Sequence, residues 1–147
     1  MKAMSSFEKT ARELLAAGYA IRFRAAGDSM HPTIRSGEIV EVTPLAGRVP
    51  RVGEVVLVKA MRGLTAHRIV RVGDGSVVLR GDNLVSNDPE LGFASLIGTV
   101  SGVERAGVLH SVSDRRLRRL RASAFARRCR RQVAAAVAAS RSRLQYG

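Results

Sequence analysis

The chain has no tryptophan, and aromatic residues make up only 4% of it. Its core must therefore be built from Val, Leu, Ile and Ala, which a hydrophobic content of 46% can supply. No run of about 18 apolar residues occurs, so no membrane-spanning helix is expected. The opening stretch MKAMSSFEKTARELLAAG has no continuous apolar segment and makes a poor signal peptide. Cys129 is the single cysteine, which excludes an internal disulfide and is read most simply as a reducing compartment. A cytoplasmic location, or one peripheral to a membrane, follows from these absences. No Cys/His cluster supports a metal site, and no cofactor is expected. Lysine is scarce as well: Lys59 is the only one after Lys9.

Acidic residues are nearly missing from one end. Residues 1–113 carry 14 Lys and Arg against 11 Asp and Glu, a net of +3. Residues 114–147 carry 11 Arg against one acid, Asp114, a net of +10. An anionic partner is therefore a property of the tail and not of the body. In that tail Leu117, Leu120, Ala124 or Phe125, Cys129, Val133 and Val137 recur at helical steps opposite an arginine-rich side. Its second half is rich in Ala, which favours helix. An anionic membrane surface, nucleic acid, and a helix folded back on the domain are all open as its partner. The continuous Ala-rich stripe, and a polar side without aromatics for base stacking, favour the membrane surface or the folded-back helix.

The length fits one domain, organised as an N-terminal helix in 1–19, a β domain in 20–113 and a basic amphipathic helix in 114–147. Ser5 and Glu8 have capping-box spacing, and Gly18 suits the position just past a helix end. Phe7, Ala11, Leu14 and Leu15 give this helix one apolar side. The stretch YAIRFRA then alternates apolar and basic residues, as a half-buried strand does. EIVEV, EVVLVKA, LTAHRIVRV, SVVLR, LIGTVSGVER and GVLHSV are short Val-rich strands separated by Gly and Pro, with GDGS at 73–76 as a hairpin turn. Such a series predicts a compact barrel or sandwich.

Three stretches stand apart from packing material. The first is the Gly27-Asp28-Ser29-Met30 corner. Gly27 allows close backbone approach, Pro32 stiffens the exit, and Ser29 is a nucleophile if a base lies nearby. Taken alone, Asp28 and Ser29 read more readily as a turn cap. The second is His67. Strict alternation puts Thr65, His67, Ile69 and Arg71 on one face of its strand, and Leu64, Ala66, Arg68 and Val70 on the other. His67 is either a packed histidine or a general base. The third is LRGDNLVSNDPELG, in which Asp82 and Asp88 are both able to orient an imidazole, and which also reads as an Asx-rich turn. Lys59 reads as a strand-end surface residue rather than a Ser-Lys base. His31 reads as a rim residue, His110 as structural, and Cys129 as packing.

Taken together, these stretches resemble the signal peptidase I and LexA-type serine peptidase superfamily. Gly27 to Thr33 match its Gly-x-Ser-Met-x-Pro-Thr box. Gly37-Glu38-Ile39-Val40 match the following Gly-Asp-hydrophobic strand, with Glu in place of Asp. His67-Arg68-Ile69 match the base-bearing strand, with His where bacterial signal peptidases and LexA proteins have Lys, as in endoplasmic-reticulum and archaeal signal peptidases. Gly81-Asp82-Asn83 match the Gly-Asp-Asn box, and Ser86-Asn87-Asp88 match the Ser-x-Asp after it. The match covers about residues 20–103.

The resemblance implies a mainly β, β-barrel-type peptidase fold with a short N-terminal helix and a basic C-terminal helix. It implies a serine endopeptidase cutting a leader, signal or other peptide by acyl transfer. Ser29 is the nucleophile, His67 the base, Asp82 or Asp88 the orienting acid, and the Ser29 N–H an oxyanion donor. Met30 and Ile34 are floor residues for an extended peptide or preprotein substrate with small residues before the cut, or simply core. Some signal peptidases carry a hydroxyl residue two positions before the nucleophile, where this chain has Gly27. The alternatives are an inactive or weak peptide-binding or regulatory module, or a LexA-like DNA-associated protein.

Overall fold

The computed structural model describes residues 6–61, 63–112, 126 and 129–132. Helix α1 (Ser6–Ala16) precedes eight strands: β1 (Ile21–Arg24), β2 (Ile39–Thr43), β3 (Val55–Ala60), β4 (Gly63–Val72), β5 (Ser76–Arg80), β6 (Leu91–Gly92), β7 (Leu96–Arg105) and β8 (Val108–Ser111). The mainly β architecture is the one expected. The strands form one antiparallel sheet in the order β1-β2-β7-β3-β4-β5-β6, with β8 on β7. β6 is a two-residue strand that the sequence pattern does not signal.

β3 explains why EVVLVKA reads as a continuous apolar run. Val55 and Leu57 enter one hydrophobic cluster with Val40, Val42, Val100 and Val103, whereas Val56 and Val58 enter a second with Ile69, Val77 and Leu79. Both of its faces are buried, so alternation has no polar side to show. Register shifts at Glu41/Val42, Leu57/Val58 and Ile69/Arg71 add local twist. The sheet curls enough that the end of β1 and the start of β4 line one cleft, although three strands separate them in the sheet order.

The shift at Ile69/Arg71 corrects one expectation. Up to Ile69 the alternation holds, with His67 and Ile69 buried. The extra residue, Val70, then reverses the phase, so Val72 packs beside the Ile69 cluster and Arg71 is exposed.

Helix α1 ends as Gly18 predicts. Gly18 has φ +92°, its N–H donates to the Leu15 carbonyl, and the Tyr19 N–H donates to the Leu14 carbonyl. That is the Schellman arrangement, which only a residue tolerant of left-handed backbone closes without strain. The buried stripe is Glu8, Ala11 and Leu15, and Leu15 enters the β1–β2 side of the core. Phe7 and Leu14, expected on that side, are largely exposed, although Phe7 meets Phe23 edge-on at 5.3 Å. Glu8 is buried with cations beside it: Lys59 Nζ reaches its Oε1 at 3.0 Å, and Arg12 Nε lies 3.9 Å from the same oxygen. Ser5, the expected cap, lies outside the described residues.

Of the 114–147 segment, Ala126 and Cys129 to Gln132 are described, and these are helical. Cys129 is partly exposed. The remainder of the predicted amphipathic helix lies outside the described residues. No helix among the described residues is long and apolar enough to cross a membrane.

Candidate active site

The Ser29 corner folds around Gly27, whose φ of +84° suits a residue without a β-carbon. The His31 N–H closes the turn on the Asp28 carbonyl at 3.1 Å, and the Ile34 N–H returns to the Met30 carbonyl. Met30, Pro32, Thr33 and Ile34 point into the protein and anchor the corner, while Ser29 stays half-buried at the surface. His31 is exposed, as a rim residue is expected to be.

Strand β4 brings His67 to this corner. His67 pairs with Val56 of β3 and is buried, and its Nε2 lies 3.1 Å from Ser29 Oγ. The other ring nitrogen, Nδ1, lies 2.5 Å from Asp88 Oδ2. Asp88 is placed by its backbone, because its N–H donates to the carbonyl of Leu79, which pairs with Ile69 of β4. The loop after β5 thus folds back onto β5, the strand beside the one that carries the histidine.

Asp82, the other candidate acid, is engaged elsewhere. Its two oxygens take a bidentate bond from Arg68 Nε and Nη2, both at 2.9 Å, and Thr33 Oγ1 donates to Oδ2 at 2.5 Å. Both side chains of the Arg68–Asp82 pair are almost fully buried. Arg68 also donates to the Gly53 carbonyl. Alternation explains the division of labour. His67 and Arg68 are neighbours in one strand, so they face opposite ways, one to Ser29 and Asp88, the other to Asp82 and Thr33.

The Gly81-Asp82-Asn83 box is pressed against the nucleophile corner. A β-carbon on Gly81 would lie 2.6 Å from the Ser29 carbonyl oxygen, so only glycine fits without a shift. The Asp82 N–H approaches Met30 Sδ at 3.4 Å. The Asn83 N–H donates to the Ser29 carbonyl at 2.8 Å, and its side-chain amide donates to the Asp28 carbonyl at 3.0 Å.

Arg105, at the end of β7, is a support that sequence reasoning missed. It binds both oxygens of Glu38 and donates to the Pro32 and Thr33 carbonyls. Burial pushes the Glu38 carboxyl up. Bonds from Arg105 and from the Arg35 N–H outweigh that and hold it below its ordinary value. Arg68 was equally missed as a support, although a charge on the face of Leu64 and Ala66 signals a buried partner.

Ser29 opens onto a cleft of about 390 Å³. Phe23 to Gly27 form one wall, Gly63 to Ala66 the other, and Met30 and Ile34 lie at its base among Val40 and Leu57. Lys59 stands with Glu8 and not with Ser29. His110 lies exposed on β8. Among the described residues no three His, Cys, Asp or Glu side chains gather as a metal site would require.

A serine, a buried histidine and a carboxylate in hydrogen-bonded series on a mainly β scaffold define a site of the serine-peptidase type. The family model for Peptidase S24-like proteins matches residues 3–101, which include the Ser29 corner, the His67 strand and the Asp88 loop. The chain belongs to that family, within the LexA and signal peptidase I type of serine peptidases. No curated protein matches it.

Proposed function

We propose that this protein is a serine endopeptidase that cuts extended peptides by acyl transfer, with Ser29 as nucleophile, His67 as general base and Asp88 as its orienting acid. The series Ser29 Oγ–His67 Nε2–His67 Nδ1–Asp88 Oδ2, at 3.1 and 2.5 Å, carries this reading. With Asp88 accepting from Nδ1–H, the proton of the neutral imidazole is kept off Nε2, which is then free to accept from Ser29.

As Ser29 Oγ bonds to the substrate carbonyl carbon, its proton passes to His67 Nε2 and the carbonyl oxygen takes the negative charge. The Ser29 N–H donates to that oxygen. Collapse breaks the C–N bond, and His67 returns the proton to the departing amine. A water, deprotonated by His67, then attacks the acyl ester and frees Ser29.

Two free strand edges support an extended substrate. Among the described residues β1 pairs only with β2, and β4 from Gly63 to His67 pairs only with β3. Both edges line the cleft that holds Ser29. A peptide laid between them gains backbone hydrogen bonds without requiring much sequence. Met30 and Ile34 lie beneath it, and the Ala25, Ala26 and Ala66 walls suit small side chains before the cut.

The test is cleavage of leader-type peptides with small residues before the cut. The expected result is turnover by the wild type and none by Ser29→Ala or His67→Ala, with both variants folded. Cleavage that persists in Ser29→Ala would sink the nucleophile assignment. Folded wild type that only binds such peptides would favour the peptide-binding module instead.

The second component of the proposal concerns 114–147, whose +10 charge and apolar stripe suit an anionic membrane surface bearing the substrate.

A further inference from the structure

A serine nucleophile needs more than a base. The N–H that meets the oxyanion must also point the right way before the reaction begins. Gly27 brings no side-chain donor to this corner, so the burden falls on backbone groups whose direction depends on how their peptide planes are held.

Both planes flanking Ser29 are held by one residue. In the Asp28–Ser29 peptide the carbonyl accepts from the Asn83 side-chain amide at 3.0 Å and from the His31 N–H at 3.1 Å. In the Ser29–Met30 peptide the carbonyl accepts from the Asn83 N–H at 2.8 Å. Both peptides are trans, and in a trans peptide the N–H points opposite to its carbonyl. The Ser29 and Met30 N–H groups are therefore turned away from Asn83. Neither donates to a protein acceptor among the described residues. Gly81 allows the contact, since its missing β-carbon is what lets this loop reach the Ser29 carbonyl.

We infer that Asn83 is a positioning residue for the oxyanion site. Its side chain fixes the Asp28–Ser29 peptide by the carbonyl end and so aims the Ser29 N–H. This rests on the peptidase reading above and adds to it the residue that prepares the donor. Asn83 touches neither the substrate nor the reacting atoms.

The test uses the full chain and a leader-type decapeptide with Ala-x-Ala before the cut, together with the peptide aldehyde that ends at the cut residue. The aldehyde forms a hemiacetal on Ser29 Oγ, and its oxygen occupies the oxyanion position. Asn83→Ala removes the side-chain donor but keeps the backbone N–H that holds the Ser29 carbonyl. Asn83→Asp keeps the shape but sets a carboxylate against the Asp28 carbonyl.

Both variants are expected to lower kcat on the order of 10- to 100-fold, below the full effect of deleting an oxyanion donor. KM is expected to stay within about twofold, since the aimed N–H is needed only once the oxyanion forms in the transition state, while aldehyde affinity falls in step with kcat/KM. Asn83→Asp is expected to be the weaker enzyme of the two. Equal kcat in wild type and Asn83→Ala overturns the inference. So does a lower kcat with aldehyde affinity unchanged. A wild type that neither cleaves the decapeptide nor binds the aldehyde overturns the peptidase reading, and the inference with it.

Discussion

Asp82 and Asp88 lie six positions apart in one loop, and their environments give them different chemistry. Asp88 faces the ring nitrogen of His67 with its side chain partly open to water, whereas Asp82 is sealed against Arg68. Asp88→Asn is expected to lower kcat on the order of 10⁴-fold by favouring the wrong imidazole tautomer, with little change in the urea midpoint. Asp82→Ala strands a buried guanidinium and is expected to cost about 3–5 kcal/mol of stability, read as a lower urea midpoint. The reverse pattern, a silent Asp88→Asn and an inactive but fully stable Asp82→Ala, would exchange the two roles. The sequence showed both acids as candidates, because either lies near enough along the chain. The choice is made by the path of the loop, which returns the Asp88 N–H to the Leu79 carbonyl. No residue pattern announces that return. Asn83 was legible only as the third letter of a box.

At the scale of elements, most strands were readable as Val-rich runs set off by Gly and Pro, and alternation against solvent is clear in β1 and β2. Where alternation or the strand itself was hidden, the cause was local. β3 is buried on both faces, β6 is too short for any period, and the bulge at Val70 reverses the phase of β4. In α1 the buried stripe is shifted by Glu8, a charged residue that enters the interior where Lys59, 51 positions away, meets it beside its helix neighbour Arg12. Such pairings depend on tertiary distance and are invisible to a window of sequence. The contact between Arg105 and Glu38 is of the same kind, and it ties β7 to the chain just before β2 and to the exit of the Ser29 corner. Among the described residues four carboxyls are held below their ordinary value of 4.5 and each has an arginine partner: Glu38, Glu41, Glu54 and Glu90, the last held first by the Ser76 hydroxyl and then by Arg71. A depressed carboxyl binds its proton less readily when folded than when unfolded. Its stabilising contribution is complete above that ordinary value and is lost as pH falls through the lower, folded one. The melting temperature is therefore expected to hold near neutrality and to drop steadily below about pH 4.5. In Glu38→Gln the melting temperature should start lower at neutral pH and fall less in acid. An identical acid slope in wild type and Glu38→Gln would remove Glu38 from this account.

Across the whole molecule, charge is arranged rather than merely abundant. In the body several carboxylates meet arginines in this way: Glu38 with Arg105, Glu41 with Arg22, Glu54 with Arg48, Asp82 with Arg68, and Glu90 with Arg71. These pairs neutralise their own surroundings and leave residues 1–113 at +3. Residues 114–147 have one acid for 11 arginines, so the far field of the protein is set there. If that charge serves an anionic membrane surface, binding of the full chain to vesicles containing phosphatidylserine should weaken steeply as salt rises, because screening shortens the reach of each charge. Vesicles of neutral lipid should bind far less. Replacing Arg115, Arg116, Arg118 and Arg119 with Gln is expected to lose about 1 kcal/mol of vesicle affinity per charge removed, while cleavage of a soluble peptide is unchanged, since the cleft is lined by residues of the body. Duplex DNA supplies the opposing outcome. Should the full chain bind DNA more tightly than anionic vesicles at the same salt, and the four substitutions weaken DNA binding most, the membrane assignment fails and the tail is a nucleic-acid contact.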